Sequence, residues 1–336
     1  MAKRTKEAPG FEAWTSEMEP VVAALLDTHL GRSKEWFPHQ YVPWSLGEDF
    51  AGPLHGQPWQ ESQTSLTPVA RAALVLGLLT EDNLPGYHHE LCRRVGRHGA
   101  WGEWVHRWTA EEDRHSAAIR SYLLTTRAVD PVALERARMA HMSFVVPDDY
   151  YPGGMASMAY VLIQELSTRQ FHRITAEHSG ESVCQSLLAR IAHDENLHMI
   201  FYRDLYKALL SRFPDTALEG LRVALKGFRM PGRDDPTLAP LALQVALGGW
   251  YDPHTHYTQV VAPLLRSLHV WELTGLGPAG EHSRERLADW ASDAERRAER
   301  FAAHRPRFAR SPKNGTDRPT ARRPQPLSMA RIVSEE

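Results

Sequence analysis

Two stretches of this sequence place a glutamate and a histidine three residues apart. They are Glu112 and His115 in WTAEEDRH (108–115), and Glu195 and His198 in HDENLHM (193–199). Carboxylates and imidazoles bind metal ions through oxygen and nitrogen, and they also carry protons. On a helix, residues three apart lie on one side about a turn from each other, so a single ion can take both. The setting separates these pairs from a chance Glu-x-x-His. One helical face reads Cys184, Leu188, Ile191, Glu195, His198, Tyr202, Leu205; another reads Trp101, Trp104, Trp108, Glu112, His115, Ile119, Tyr122. Both are core stripes interrupted by ionisable groups.

Two further helical patterns carry a lone glutamate on such a face. One is Met158, Val161, Glu165, Thr168, His172; the other is Leu74, Gly77, Glu81, Leu84. A buried, unpaired carboxylate costs several kcal/mol or takes up a proton. No Lys or Arg lies on these faces to neutralise them, whereas two multivalent metal ions would. The ordered set is Glu81, Glu112-x-x-His115, Glu165, Glu195-x-x-His198, at separations of 31, 53 and 30 residues. One Glu from each of two helices and Glu-x-x-His from each of two others is the ligand pattern of di-iron carboxylate bundles. The short separations suit adjacent antiparallel helices, and the long one suits a crossover.

The elements that must position these residues are helices. The pattern predicts them over 15–31, from Pro68 to about Leu84, and over 102–126, 131–145, 155–178, 181–211, 216–228, 238–249, 255–268 and 281–303, with a turn at 148–154. No stretch shows convincing strand alternation, and no repeat stands out. The expected architecture is all-α: a four-helix bundle with flanking helices, over 15–303. Residues 1–14 read as a flexible N-terminus, and 304–336, rich in Pro and Arg, as a disordered tail.

The chain has 336 residues and is 42% hydrophobic, enough for a sizeable core. Lys and Arg number 39 against 41 Asp and Glu, which gives no reason to expect nucleic-acid binding. The two cysteines, Cys92 and Cys184, form neither a disulfide framework nor a CxxC pair. The N-terminus lacks the apolar core of a secretory signal, and AALVLGLLT (72–80) is too short to span a bilayer. A cytoplasmic protein without a transmembrane segment is expected.

The sequence resembles the soluble acyl-acyl carrier protein desaturases, the family of the plant stearoyl desaturase and its actinobacterial relatives. WTAEEDRH is similar to that family's WTAEENRH, TEDNLPGY (80–87) to TEEALPTY, IQELSTRQFH (163–172) to a segment containing FQERAT, and HDENLH to ADEKRH. MPGRDD (230–235) and WELTGLGPAGE (271–281) resemble MPAHLMYDGRDD and DKLTGLSAEGQ, and the likeness runs from about residue 17 to about 303. The resemblance implies a ferritin-like fold, usually a homodimer. It implies two iron ions on Glu81, Glu112, His115, Glu165, Glu195 and His198, with Glu81 rather than Asp82 as ligand and Thr168 beside the oxygen site. It implies dioxygen, two electrons from a ferredoxin or similar donor, and a cis double bond made in an acyl chain on acyl carrier protein. Trp36, Asp194 and His115 would form the electron route. HHELCRRVGRHG (88–99) is more polar than its counterpart, which helps line the acyl channel, and the link between Glu81 and Glu112 is shorter than in the plant enzymes.

Hydrogen removal from an unactivated CH₂ needs an oxidant that no side chain supplies alone, so the cofactor carries that chemistry. Other readings of the same residues are a di-iron hydroxylase or N-oxygenase, a non-enzymatic iron-binding protein, and a radical-harbouring reductase subunit. Met158, Val161 and Leu162 are candidates for an acyl-channel wall. Asp252, His254 and His256 read as a polar loop, and His88, His89 and His172 as non-ligands.

Overall fold

The computed structural model describes residues 11–144, 152–229 and 234–304. Helix α1 (Phe11–Arg32) starts four residues before the expected boundary. Trp14, Met18, Val22 and Leu26 recur every fourth residue and are all buried. Trp14 packs edge-on against Trp101 at 5.8 Å, and the Trp101 indole donates to the Thr15 carbonyl at 2.9 Å. Trp14, within the stretch expected to be flexible, is therefore held against the bundle. Residues 1–10 of the flexible N-terminus expected over 1–14 lie outside the described residues, as do nearly all of the expected tail and most of the expected turn at 148–154.

Four helices carry the ionisable stripes: α2 (Pro68–Asp82), α4 (Gly99–Thr125), α6 (Met155–His178) and α7 (Ser182–Arg212). Their ends follow from local chemistry. Thr67 accepts from the Ala70 amide with Pro68 at the first helical position of α2. Glu181 accepts from the Val183 and Cys184 amides to open α7, just after Gly180 turns the chain at φ 73°. α6 and α7 pack as a close antiparallel pair, α2 lies against α4 and α6, and α4 lies against α7. Gly77, mid-helix in α2, costs about 1 kcal/mol relative to alanine. A Cβ there would stand 3.4 Å from both Phe171 and His172, so the glycine lets α6 come close one turn before Glu81.

Helix α3 (Leu84–Val95) is not among the expected helices; its polar run HHELCRRV masks Leu91 and Val95, which are buried along with Leu84. α5 (Pro131–Met142) opens on Asp130, which accepts from the Val132 amide, and leans on α2. α8 (Pro214–Gly227) covers α6 and α7, α9 (Ala239–Leu247) covers α2, and α12 (Pro278–His304) packs on α8. The helix expected at 255–268 begins earlier: α10 (Pro253–His256) runs through a π-helical turn (Tyr257–Val261) into α11 (Ala262–Ser267). Among the described residues there is no strand, only an isolated bridge between Phe50 and Gln57, and no helix long and apolar enough to cross a membrane.

Candidate metal centre

The stripes converge inside the bundle. Glu81, Glu112, Glu165 and Glu195 are 1–6% exposed, and His115 and His198 are 0% exposed. Their ligand atoms form two clusters: Glu81, Glu112, His115 and Glu195 in one; Glu112, Glu165, Glu195 and His198 in the other. Glu112 and Glu195 belong to both, and each divides its oxygens between them. Glu112 Oε2 lies 3.3 Å from His115 Nδ1, and its Oε1 lies 2.8 Å from His198 Nδ1. Glu195 Oε1 lies 3.6 Å from His115 Nδ1, and its Oε2 lies 3.8 Å from His198 Nδ1. Glu81 stands 4.0 Å from His115 Nδ1, and Glu165 stands 3.5 Å from His198 Nδ1. Six side chains thus form two equivalent pockets sharing two bridging carboxylates.

The unsatisfied atoms sit where ions would fit. Both oxygens of Glu195, Oε1 of Glu112, and Nδ1 of His115 and His198 are buried without a hydrogen-bond partner. Buried polar atoms are rarely left so. Oxygen and imidazole donors in this number suit iron or manganese in a carboxylate bundle. Without metal, burial and repulsion from Glu112 and Glu195 hold the Glu81 carboxyl well above its ordinary range. Burial and Glu112 do the same to Glu165. Burial also pushes Glu112 upward, but His115 and His198 outweigh it and hold this carboxyl low. Burial would lower His115, yet Glu112 and Asp194 raise it to about 10. Glu81 and Glu165 therefore favour their protonated forms until cations are bound.

Each histidine is backed by a carboxylate on the opposite helix. Asp194 of α7 lies 3.4 Å from His115 Nε2 and accepts from the Trp36 indole at 2.6 Å, from Arg114 at 3.1 Å and from Arg190. Glu111 of α4 accepts from His198 Nε2 at 2.9 Å, from His29 at 2.9 Å and from Arg107 at 2.6 Å. Sequence reasoning named Asp194 and Trp36 but missed Glu111 and His29. The signal for Glu111 was present, since an acidic residue immediately precedes each Glu-x-x-His. His29 had none, because it lies 82 residues away in sequence from Glu111.

His172, read as a non-ligand, shares a hydrogen bond of 3.0 Å with Glu81 Oε1 and is lowered to about 3 chiefly by burial, so it is neutral. Asp82 turns away to pair with Arg138, leaving Glu81 to the centre. Trp108 donates to Glu165 at 3.1 Å. Thr168 lines the cavity at the carboxylates; its hydroxyl donates to the Gln164 and Glu165 carbonyls at 3.2 and 3.1 Å. Asp252 caps α10 by accepting from the Thr255 amide, and neither it nor His254 or His256 joins a metal-type cluster among the described residues.

The carboxylate cavity, about 280 Å³, shares Tyr87, Trp108 and Gln164 with a second cleft of about 430 Å³ between α3 and the first turns of α6. Val161 lines this cleft together with Leu91, Ser157 and Tyr160. Met158 and Leu162, expected beside Val161, do not line it. They are 0% exposed in the core, because at about 100° per residue they point roughly a third of a turn or more away from the cleft-facing row.

A sequence profile of a fatty acid desaturase family matches residues 13–316. The chain belongs to that family. It is 42% identical over 302 residues to a Mycobacterium tuberculosis protein provisionally named acyl-[acyl-carrier-protein] desaturase DesA1, covering 87% of this chain and 88% of that one. It is 28% identical to palmitoyl-[acyl-carrier-protein] 4-desaturase 3, chloroplastic, of Ophrys sphegodes, over 75% of this chain and 67% of the relative. The X-ray structure of DesA2 from Mycobacterium tuberculosis matches with a TM-score of 0.64 and 29% identity, covering 81% of this chain and 99% of that one. The protein is thus an oxidoreductase of fatty acid desaturation with an all-helical, ferritin-like fold.

Proposed function

We propose that the chain is a dioxygen-dependent di-iron desaturase that introduces a cis double bond into a saturated acyl chain held on acyl carrier protein. The observation that carries this is the division of Glu112 and Glu195 between two histidine pockets, which suits a pair of ions bridged by carboxylates. Glu81 and His115 would complete one ion's ligands, and Glu165 and His198 the other's. When bound, the two irons would activate dioxygen for removing two hydrogens from neighbouring CH₂ groups, and these hydrogens with two donor electrons and two protons would carry the dioxygen to two waters.

The chain's own residues do the rest. Asp194 and Glu111 hold the imidazole Nε2 atoms so that each Nδ1 faces the centre. The cleft walled by Leu91, Tyr160 and Val161 takes an apolar chain and excludes water beside the carboxylates. Thr168 places a hydroxyl oxygen at the cavity wall. Trp36, next to Asp194 and His115, is the entry point for electrons from a ferredoxin or similar protein. The molecule works as a homodimer, and the acidic carrier docks outside through Lys and Arg, an attraction screened over roughly 10 Å at 0.1 M salt.

The test is mass spectrometry of carrier-bound acyl chains after incubation with iron-loaded protein, ferredoxin, reductant and oxygen. The expected product is lighter by a pair of hydrogens. A product heavier by an oxygen atom would make the protein a hydroxylase, and no product with any carrier-bound chain would overturn the reading.

A further inference from the structure

We propose that His29 is a positioning residue for His198, doing for that imidazole what Trp36 does for His115. This rests on the two-metal reading of the centre. On one side, the Trp36 ring lies nearly parallel to His115 (6.4 Å, 16°) and its N–H donates to Asp194 Oδ2, the same oxygen that faces His115 Nε2. On the other, the His29 ring lies nearly parallel to His198 (5.7 Å, 24°). Its Nε2–H donates to Glu111 Oε2, the same oxygen that receives His198 Nε2. The two arrangements are mirror versions of one device: an aromatic N–H ring stacked on a metal-facing imidazole, both bonded to one carboxylate oxygen.

The details of His29 fit this role better than plain packing. It sits in the last turn of α1, outside the four helices that carry the ligand glutamates and histidines. Ser33 fixes that turn by donating from both its amide and its hydroxyl to the His29 carbonyl. The side chain is 2% exposed, and its Nδ1 has no partner. Burying that polar atom is a cost an apolar side chain would avoid, so the bond to Glu111 is the compensating gain. Trp104 packs edge-on against the ring at 5.1 Å and holds it in the stacked orientation. Arg107 occupies the other oxygen of Glu111, so the carboxylate cannot swing away from His198. An Nε2–H tautomer on His198 leaves its Nδ1 lone pair for a metal ion. Loss of the His29 N–H would loosen Glu111, and with it that tautomer.

The test titrates apo protein with Co²⁺, following visible absorption. Wild type should take two ions. His29→Phe keeps a ring and removes the N–H; it should weaken one of the two binding steps by roughly 10–100-fold and leave the other at its wild-type affinity. Trp36→Phe should also weaken a single step, and the double variant should weaken both. His29→Gln, which can return an N–H to Glu111, should recover most of the lost affinity. The proposal is overturned by wild-type binding of both ions in His29→Phe, by equal weakening of both steps, or by a Gln variant no better than Phe. A wild-type protein that takes fewer than two ions would overturn the metal centre itself, and this role with it.

Discussion

Among the described residues, Glu112 and Glu195 are shared by the two glutamate-rich clusters at the centre, which sets them apart from Glu81 and Glu165. Glu112→Ala or Glu195→Ala is expected to lose most of the bound iron, while Glu81→Ala or Glu165→Ala retains more, as read by metal analysis of folded protein. Equal retention in all four would argue against bridging. The same contrast separates ligands from cavity lining. Thr168→Val removes a hydroxyl whose bonds run to its own helix. It should change stability by no more than about 1 kcal/mol and leave iron content intact while lowering turnover. The acidic ligands were legible from their intrusion into apolar stripes. The groups behind them were not, since a hydrogen bond such as Trp36 to Asp194 spans 158 residues and leaves no periodicity.

Helices α3 and α6 wall the cleft, and α1 braces the bundle from outside. Val161→Trp fills the cleft and is expected to abolish turnover of long acyl chains with iron content unchanged. An unaltered product profile would mean the chain enters elsewhere. Trp14→Ala at the start of α1 should cost about 3–5 kcal/mol, because the indole is buried against Trp101. Glu17→Ala, an exposed change on the same helix, should stay within about 0.5 kcal/mol. Thermal melts of the two variants check the contrast.

Removing the metal should reverse how the whole molecule responds to pH. In the apo form Glu81 and Glu165 have raised carboxyl pKa values, and His115 and His198 have raised imidazole pKa values. Raised groups favour the protonated folded state, so their contribution is lost as pH rises. Glu111, Glu112 and Asp194 are lowered, and theirs is lost only as pH falls below their ordinary carboxylate values. Between about pH 5.5 and 8 the four raised groups, all at the carboxylate centre, act against the imidazoles that burial lowers, His172 and His256 foremost, and they outweigh them, so the apo Tm should be higher at the acid end. Loaded protein should show the opposite trend, because acid protonates the ligands and releases metal. Parallel melts across this window, with and without iron, check both signs; an apo Tm that falls steadily toward pH 5.5 would contradict the assignment.

The ordered Glu and Glu-x-x-His set, the all-helical class and the boundaries of α6 follow from local rules, because helical periodicity and caps act within a turn or two of chain. Those rules also fail locally. α3 was hidden by its polar face, and α1 was started at Thr15 because Trp14 preceded the capping candidates. What folding alone decided depends on contacts between distant segments. Glu112 and Glu195 come to divide their oxygens between two pockets only because α4 and α7 cross at that level. Met158 and Leu162 go to the core rather than the cleft because neighbouring helices claim that face of α6. His29 reaches Glu111 only because α1 is laid across the bundle. Stripe membership is a property of one helix, whereas the partner of a buried polar atom is set by packing, which no single segment encodes.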